Sequence, residues 1–404
     1  MAILLIVLVL LILLDFLKNK KIFTPGILFN GIFFVTLFLY SFQLSYIQHD
    51  LLPRTVAILF LCVVGFNIPV FLCYFTKATV RLVPKREFAL SDVRRRNLCL
   101  VAIVLFLIQV VYSGGVPLVW RLVGDERTYF DFGIPSFTGV YYGFIIVLGA
   151  YCLFKRGLDK YVYLAIGLLM VSRQVLISIV VEGVIFKLLT MRKLTWKFYL
   201  LLIIGVIVGI LGFSALGNFR TGEDGFLSVA QFKPEYDWIP TSFKWLYSYL
   251  CFSVSNFNNL VSMSAGGVNF GSSMMSELVP TVLTDLLNIK PLYDPYFLVC
   301  PNFTVSTFLP PVYLDFGMFG CFFFCFLLGC FMQRVYRNVR VRANHENKLV
   351  YAVFAHNTLL LFFNNMFLYL PILAQFIFIP LLFKRVKKKE SVGLQGKKLT
   401  VGNA

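Results

Sequence analysis

Charged residues are scarce in this chain. Asp, Glu, Lys and Arg make up 14% of its 404 residues, whereas 59% are hydrophobic. A soluble globular domain carries about 25% charged residues, so the composition excludes that class of protein. A mean hydropathy of +0.82 agrees with this exclusion. The chain is therefore expected to be a polytopic membrane protein.

Several patterns that would indicate particular chemistries are also missing. The sequence has only 3 histidines, and no His, Cys and Asp residues follow the spacing of metal ligands. No Gly-rich phosphate loop occurs on the predicted cytoplasmic side, and no internal repeat of roughly 20 to 50 residues is present. We therefore predict no metal, no cofactor and no nucleotide, so that the energy for any reaction must arrive with the substrate.

Long apolar segments are what the chain does contain. A run of roughly 17 to 25 apolar residues can cross a bilayer as a helix. The stretch 161–190 includes Arg173 and Glu182 and is predicted to be a broken hairpin with both ends on one side. With its two arms, the sequence predicts an all-α membrane protein of about eleven membrane segments. The other predicted spans are 2–17, 27–46, 55–76, 97–112, 136–154, 198–216, 312–333, 349–363 and 366–384.

The basic residues predict an orientation. Lys and Arg number 37 against 19 acids, and such residues accumulate in short cytoplasmic loops. Clusters at 18–21, 81–96, 334–342 and 384–389 place the N-terminus outside and the C-terminus inside. A single crossing at 161–190 would export the later clusters, which this bias disfavours. The positive charge thus marks one membrane face, and no nucleic-acid partner is predicted.

The longest polar segment, 217–311, separates two predicted spans and lies outside in this orientation. It is the one segment large enough to hold a site away from lipid. We expect a single integral membrane domain over 1–389 that includes this outer loop, and a disordered cytoplasmic tail over 390–404.

Within that loop, the aromatic stretch 243–257 suits an interfacial helix on the membrane surface. Cys251 and Cys300 both fall in the loop, where an oxidising compartment could pair them. Pairing and free thiols both remain open from the sequence.

Three arginines lie near the predicted outer ends of spans. Arg121 and Arg127 follow the tight turn Gly114–Pro117, and Arg220 follows a later span. A guanidinium group forms paired hydrogen bonds with phosphate, so these positions predict binding of an anionic lipid headgroup such as pyrophosphate. The alternative is pairing with acidic neighbours, namely Asp125, Glu126, Glu223 and Asp224.

Arg173 interrupts an apolar stretch. A charge at mid-membrane costs roughly 2.5 to 3.5 kcal/mol and usually faces a partner or an aqueous cavity. A functional role is therefore expected. The alternatives are an ion pair with Glu182, or a side chain that reaches the membrane surface. Glu182 could equally pair with Lys187.

The segment Tyr313-Leu314-Asp315-Phe316-Gly317, followed by an apolar span, resembles a late membrane helix of bacterial oligosaccharide repeat unit polymerases of the Wzy type, the O-antigen and capsule polymerases. Gly114–Pro117 with the arginines after it, Ser172-Arg173 and Tyr247-x-Tyr249 are similar to that family and follow its order. The resemblance covers roughly residues 100 to 380.

The resemblance implies a membrane glycosyltransferase in the bacterial cytoplasmic (inner) membrane, active on its periplasmic or outer face. Its substrates would be undecaprenyl-pyrophosphate-linked glycans, and its partners membrane lipids, a chain-length regulator and a flippase. Arg127, Arg173 and Arg220 would neutralise the pyrophosphate, and a carboxylate would deprotonate the acceptor hydroxyl. The expected bases are first Asp315, whose alternative role is helix capping, and second Glu223.

Arg121, Tyr249 and Tyr313 complete the expected substrate site. Two other functions stay open. A flippase or other transporter of lipid-linked oligosaccharide would spread polar residues over several spans, and an O-antigen ligase would use nearly the same chemistry.

Overall fold

The computed structural model describes residues 1–75, 90–191, 196–279, 283, 297–300, 302–341 and 344–383, without the side chains of 197–199, 201–202 and 220. The predicted tail, 390–404, lies outside the described residues. The helices in chain order are α1 Ala2–Asn19, α2 Pro25–Tyr40, α3 Pro53–Phe75, α4 Asp92–Ser113, α5 Pro117–Val123, α6 Phe137–Cys152, α7 Asp159–Leu169, α8 Arg173–Thr190, α9 Trp196–Thr221, α10 Glu223–Ala230, α11 Thr241–Met263, α12 Ser272–Leu278, α13 Leu309–Val341, α14 His345–Leu359 and α15 Leu370–Leu382.

The predicted all-helical architecture is confirmed for the described residues, which form no β-strand beyond one isolated bridge. Among the described residues, four helices, α1, α3, α4 and α13, are long and apolar enough to cross a membrane, and α9 with α10 forms a fifth candidate bent by 96°. The prediction of about eleven segments goes further than these lengths show. The apolar helices α2 and α6 have 16 residues each and α15 has 13, which rise about 20 to 24 Å against a hydrocarbon core of about 30 Å.

Helices α3 and α13 form the most extensive contact of the bundle, and glycine makes their close approach possible. A Cβ atom on Gly65 would lie 2.6 Å from the carbonyl oxygen of Phe322, and one on Gly329 would lie 2.6 Å from that of Phe66. Small residues allow membrane helices to pack backbone against backbone. Each helix therefore contributes a glycine at the place where the other helix touches it.

We expect Gly329→Leu to lower the unfolding free energy of the purified protein by about 1–3 kcal/mol, because a side chain there must push the two backbones apart. Thermal unfolding in detergent measures the loss. Gly31→Leu is the matched control, since a Cβ on Gly31 of α2 meets no atom within 4 Å. Equal stability of the two variants would contradict the packing role of Gly329.

The described part of the segment predicted as an outer loop, 217–311, contains three helices, α10, α11 and α12. Helix α11 does not lie on a surface, so the prediction of an interfacial helix is wrong. Its residues Trp245, Tyr247 and Phe252 are buried against the other helices. Cys251 and Cys300 are both free thiols. The aromatic side chains of α11 are thus part of the core because helices pack on several of its sides.

Candidate functional site

The predicted break before Arg173 is present. Helix α7 ends at Leu169, Val171 adopts a left-handed conformation with φ 52°, and α8 begins at Arg173. The Ser172 hydroxyl accepts a hydrogen bond from the amide of Val175 (3.4 Å), which satisfies a donor at the helix start. A Cβ on Gly167 would lie 2.8 Å from the Leu176 side chain. Helices α7 and α8 thus pack against each other across the break, and the reversal of a hairpin stays a prediction.

Arg173 and Arg121 both contact the C-terminal end of α9. Arg173 donates a hydrogen bond to the carbonyl of Leu216 (2.8 Å), and Arg121 donates one to the carbonyl of Phe219 (3.1 Å). Residues three apart lie on neighbouring positions of a helix surface. Arg220 follows Phe219 within α9, and its side chain lies outside the described residues. We call Arg121, Arg173 and Arg220 the α9 arginines.

Aromatic rings lie beside Arg173 and Arg121. The guanidinium of Arg173 lies 5.3 Å from the ring centre of Phe213, and that of Arg121 lies 5.5 Å from the ring of Phe219. Such contacts attract a cation electrostatically. The end of α9 is therefore contacted by arginines from two distant parts of the sequence.

Tyr249 lies beside this group. Its ring is 4.9 Å from that of Phe213, edge to face, and 5.5 Å from that of Phe363, with the planes 16° apart. Tyr249 is half-buried, and the neighbouring Trp245 donates a hydrogen bond from Nε1 to Asn218 (2.7 Å). Helix α11 thus places Tyr249 next to the ring that Arg173 covers.

Arg127 is arranged differently from the α9 arginines. Its guanidinium forms an ion pair with Asp125 (2.7 Å), lies 4.3 Å from the ring of Trp120 and donates to the carbonyl of Ser113 (3.0 Å). The hydrogen bonds from Arg127 to Asp125 lower the pKa of the Asp125 carboxyl group. Arg127 therefore pairs with its neighbour in sequence, Asp125, which is the alternative that the sequence left open.

Asp315 is 1% exposed. Its two carboxylate oxygens accept hydrogen bonds from the backbone amides of Ser273 (2.9 Å) and Met274 (2.8 Å), at the start of α12. The role of Asp315 as a base stays a prediction. Its contacts are those of an acceptor that fixes α12, a helix far from it in the sequence.

The rest of the Tyr313–Gly317 segment also holds neighbouring chain in place. Gly317 interrupts α13 with φ 64° and ψ −156°, a conformation that favours glycine. The Tyr313 hydroxyl donates to the carbonyls of Ser264 (2.9 Å) and Ala265 (3.1 Å). A Cβ on Gly266 would lie 2.8 Å from the Tyr313 ring. The segment therefore positions the chain that leads into α12.

Glu277 on α12 is a carboxylate that was not among the predicted site residues. Burial, and then the negative charge of Asp315, raise the pKa of Glu277 to about 7. Groups with such a pKa suit proton transfer near neutral pH. No local pattern marks Glu277, because the charge that acts on it comes from another helix.

The second predicted base, Glu223, is exposed at the first position of α10, where its carboxylate accepts a hydrogen bond from the Thr241 hydroxyl. An acid at this position also stabilises a helix start. Glu223 could therefore act as a base or stabilise the start of α10, and its role as a base stays a prediction.

A short 3₁₀ turn contacts both α8 and α12. Helix α12 packs against the 3₁₀ turn Met366–Leu368, and the Gln174 amide, next to Arg173, lies 3.6 Å from the sulfur of Met366. Helices α8 and α12, which carry Arg173 and Glu277, thus both contact this turn. Among the described residues, no group of three or more His, Cys, Asp and Glu side chains could hold a metal ion.

The chain matches no known protein family, no curated protein and no solved structure. Its function is therefore inferred from its own residues and their arrangement.

Proposed function

We propose that the chain is a membrane glycosyltransferase that polymerises undecaprenyl-pyrophosphate-linked oligosaccharide repeat units into O-antigen or capsule. In this proposal it lies in the bacterial cytoplasmic membrane with about eleven membrane segments, N-terminus outside and C-terminus inside, and acts on the outer face. The observation that supports it most is the convergence of Arg173 and Arg121 on the end of α9. A pyrophosphate is a ligand that such a cluster would favour.

The proposed reaction needs two things from the protein. The bond between the anomeric carbon of the donor glycan and its pyrophosphate breaks, and the electron pair leaves with the phosphate oxygen. Fixed positive charges stabilise the charge that develops there, which is the role proposed for the α9 arginines. The acceptor hydroxyl forms the new bond to the anomeric carbon and gives its proton to a base. The products are a lengthened glycan and free lipid pyrophosphate.

Glu277 is the base that the geometry favours over Asp315. Both oxygens of Asp315 already accept backbone hydrogen bonds, whereas Glu277 lies on the helix that Asp315 fixes. Asp315 is therefore proposed as a positioning residue that also makes Glu277 a stronger proton acceptor. Tyr249 offers a half-exposed ring beside Arg173 against which a sugar face can pack.

The test compares surface glycan from cells that carry Arg173 variants in place of the wild-type chain. Arg173→Ala is expected to give glycan of a single repeat unit, because the donor can still be exported but its leaving group is not stabilised. Arg173→Lys keeps the charge without the planar fork and is expected to give short chains. The matched control is Lys187→Ala, at the other end of α8, which should leave the length of the glycan ladder unchanged.

Long polymer from Arg173→Ala would contradict the proposed function. Loss of even the single-unit glycan from the surface would favour a flippase instead. Normal polymer that remains on its lipid carrier, without transfer to the final acceptor, would favour a ligase.

A further inference from the structure

A second group of polar residues lies inside the helix bundle, apart from the α9 arginines. Glu182 of α8 and His356 of α14 are each 1% exposed, and Gln375 of α15 is fully buried. The imidazole Nδ1 of His356 lies 3.0 Å from Oε1 of Glu182, and the amide of Gln375 donates to the same oxygen (3.3 Å). The structure therefore pairs Glu182 with His356, whereas the sequence suggested Arg173 or Lys187 as its partner.

Several atoms of this group have no hydrogen-bond partner within the described residues. They are His356 Nε2, Gln375 Oε1, the hydroxyl of Ser178 one turn before Glu182, and both amide atoms of Asn357. All of these side chains are buried. Leaving a buried polar group without a partner costs roughly 1–3 kcal/mol, so this many together calls for a function.

A different buried acid shows how the chain satisfies a carboxylate that has only a structural role. Asp15 of α1 is 2% exposed. Its oxygens accept hydrogen bonds from the Asn19 amide, the Tyr74 and Thr24 hydroxyls and the backbone amide of Ile27. Every one of these partners donates a hydrogen bond to Asp15 and keeps its proton. Glu182 has fewer hydrogen-bond partners, and the main one is a histidine, which can gain or lose a proton.

No second full charge is described beside the pair. Helix α15 carries no ionisable residue, Arg173 and Lys187 lie at the two ends of α8, and the charged residues of α14 are in its first turns. The ionisable residues of the other helices that pack against these three are Tyr40 of α2, Tyr141, Tyr142, Tyr151 and Cys152 of α6, Asp159, Lys160, Tyr161 and Tyr163 of α7, and Tyr313, Asp315, Cys321, Cys325, Cys330, Arg334, Tyr336, Arg337 and Arg340 of α13.

We propose that Glu182, His356 and Gln375 form a proton-binding site inside the bundle, in which the carboxylate and the imidazole share one exchangeable proton. An isolated charge in an apolar interior is very costly. With one proton the pair is neutral overall, either as imidazolium with carboxylate or as imidazole with carboxylic acid. Gln375 holds the carboxylate in place in both forms.

The open ring nitrogen provides a route for exchange. When water delivers a proton to Nε2 of His356, the proton on Nδ1 passes to Oε1 of Glu182, and the reverse movement releases a proton to water. In each step, one N–H or O–H bond breaks for every one that forms. This arrangement, a carboxylate on one ring nitrogen and an exchanging position on the other, is how histidine serves as a proton shuttle.

Infrared difference spectroscopy of the full chain in lipid nanodiscs tests the site. Between about pH 5 and 8, where histidine commonly titrates, the wild type is expected to show a carboxyl band that shifts in D₂O. Glu182→Gln should remove that band. In His356→Gln, which removes the ring that exchanges the proton, the band should no longer respond to pH in this range.

Asp15→Asn is the control and should leave the band unchanged. Identical spectra from the wild type and Glu182→Gln would overturn the proposal, and so would a carboxyl band that still responds to pH in His356→Gln. Because the measurement follows protons and no glycan, it is independent of the proposed polymerase activity.

Discussion

Glu277→Gln is expected to reduce the rate of glycan polymerisation by roughly 10²–10⁴-fold, the usual contribution of a positioned acid or base. Glutamine keeps the size of the side chain but cannot accept the proton of the acceptor hydroxyl. The measurement is the initial rate of chain growth by the purified protein with a lipid-pyrophosphate-linked repeat unit. Asp131→Asn, which changes an exposed carboxylate of the loop between α5 and α6, is the matched control and should keep the wild-type rate.

The pH dependence follows from the same residue. Glu277 must be deprotonated to act as a base, and its pKa is raised to about 7. The rate of the wild type should therefore increase as the pH rises through about 7 and then level off. A rate that is already constant above pH 5 would contradict the assignment of Glu277 as the base.

Protein stability separates a chemical role of Glu277 from a structural one. The pKa is higher in the native state than the ordinary value of 4.5, so the native state binds the proton more tightly than the unfolded chain does. Stability is then fully present below about 4.5 and declines as the pH rises toward about 7. Glu277→Gln removes this decline. The variant should be at least as stable as the wild type at pH 8 while being nearly inactive.

Asp315→Asn is expected to lower both stability and activity. An asparagine has one carbonyl oxygen, so only one of the two amides at the start of α12 keeps its acceptor. Loss of the other hydrogen bond at a buried site costs roughly 1–3 kcal/mol. Because α12 carries Glu277, its displacement should also reduce the rate of polymerisation. Thermal unfolding and the rate assay measure the two effects.

A third readout identifies the electrostatic part of this role. Removing the negative charge of Asp315 removes one of the two causes of the raised pKa of Glu277. The rising limb of the pH–rate profile should therefore move to lower pH in Asp315→Asn. A variant that is merely destabilised would lose rate at every pH without moving that limb, and this result would argue against the coupling of the two acids.

Features that depend on neighbouring residues were predictable from the sequence. The helical membrane architecture follows from long apolar runs, and the break before Arg173 follows from a charge within such a run. The segment Tyr313–Gly317 was selected by a family resemblance, and its contacts are with the chain before α12 and with α12 itself. Local pattern was sufficient in these cases because the signal lies within one helix or turn.

Features that depend on distant partners were not predictable in this way. Burial, and then the charge of Asp315 on α13, raise the pKa of Glu277, and Glu182 pairs with His356 on α14. The burial of α11 has the same origin, since its aromatic residues suit a membrane surface and a protein core equally well. Hydropathy reports how apolar a segment is, but not which helices will cover it.

The glycine contact between α3 and α13 has a consequence for biosynthesis. Gly65 belongs to the early part of the chain and Gly329 to the late part, and a ribosome delivers the early part first. Until α13 is synthesised, α3 lacks the helix with which it makes its most extensive contact, and the amides at the start of α12 lack their acceptor, Asp315. The proposed active site therefore cannot be assembled stepwise with the emerging chain. It is completed in one late event, when the last third of the protein enters the bundle.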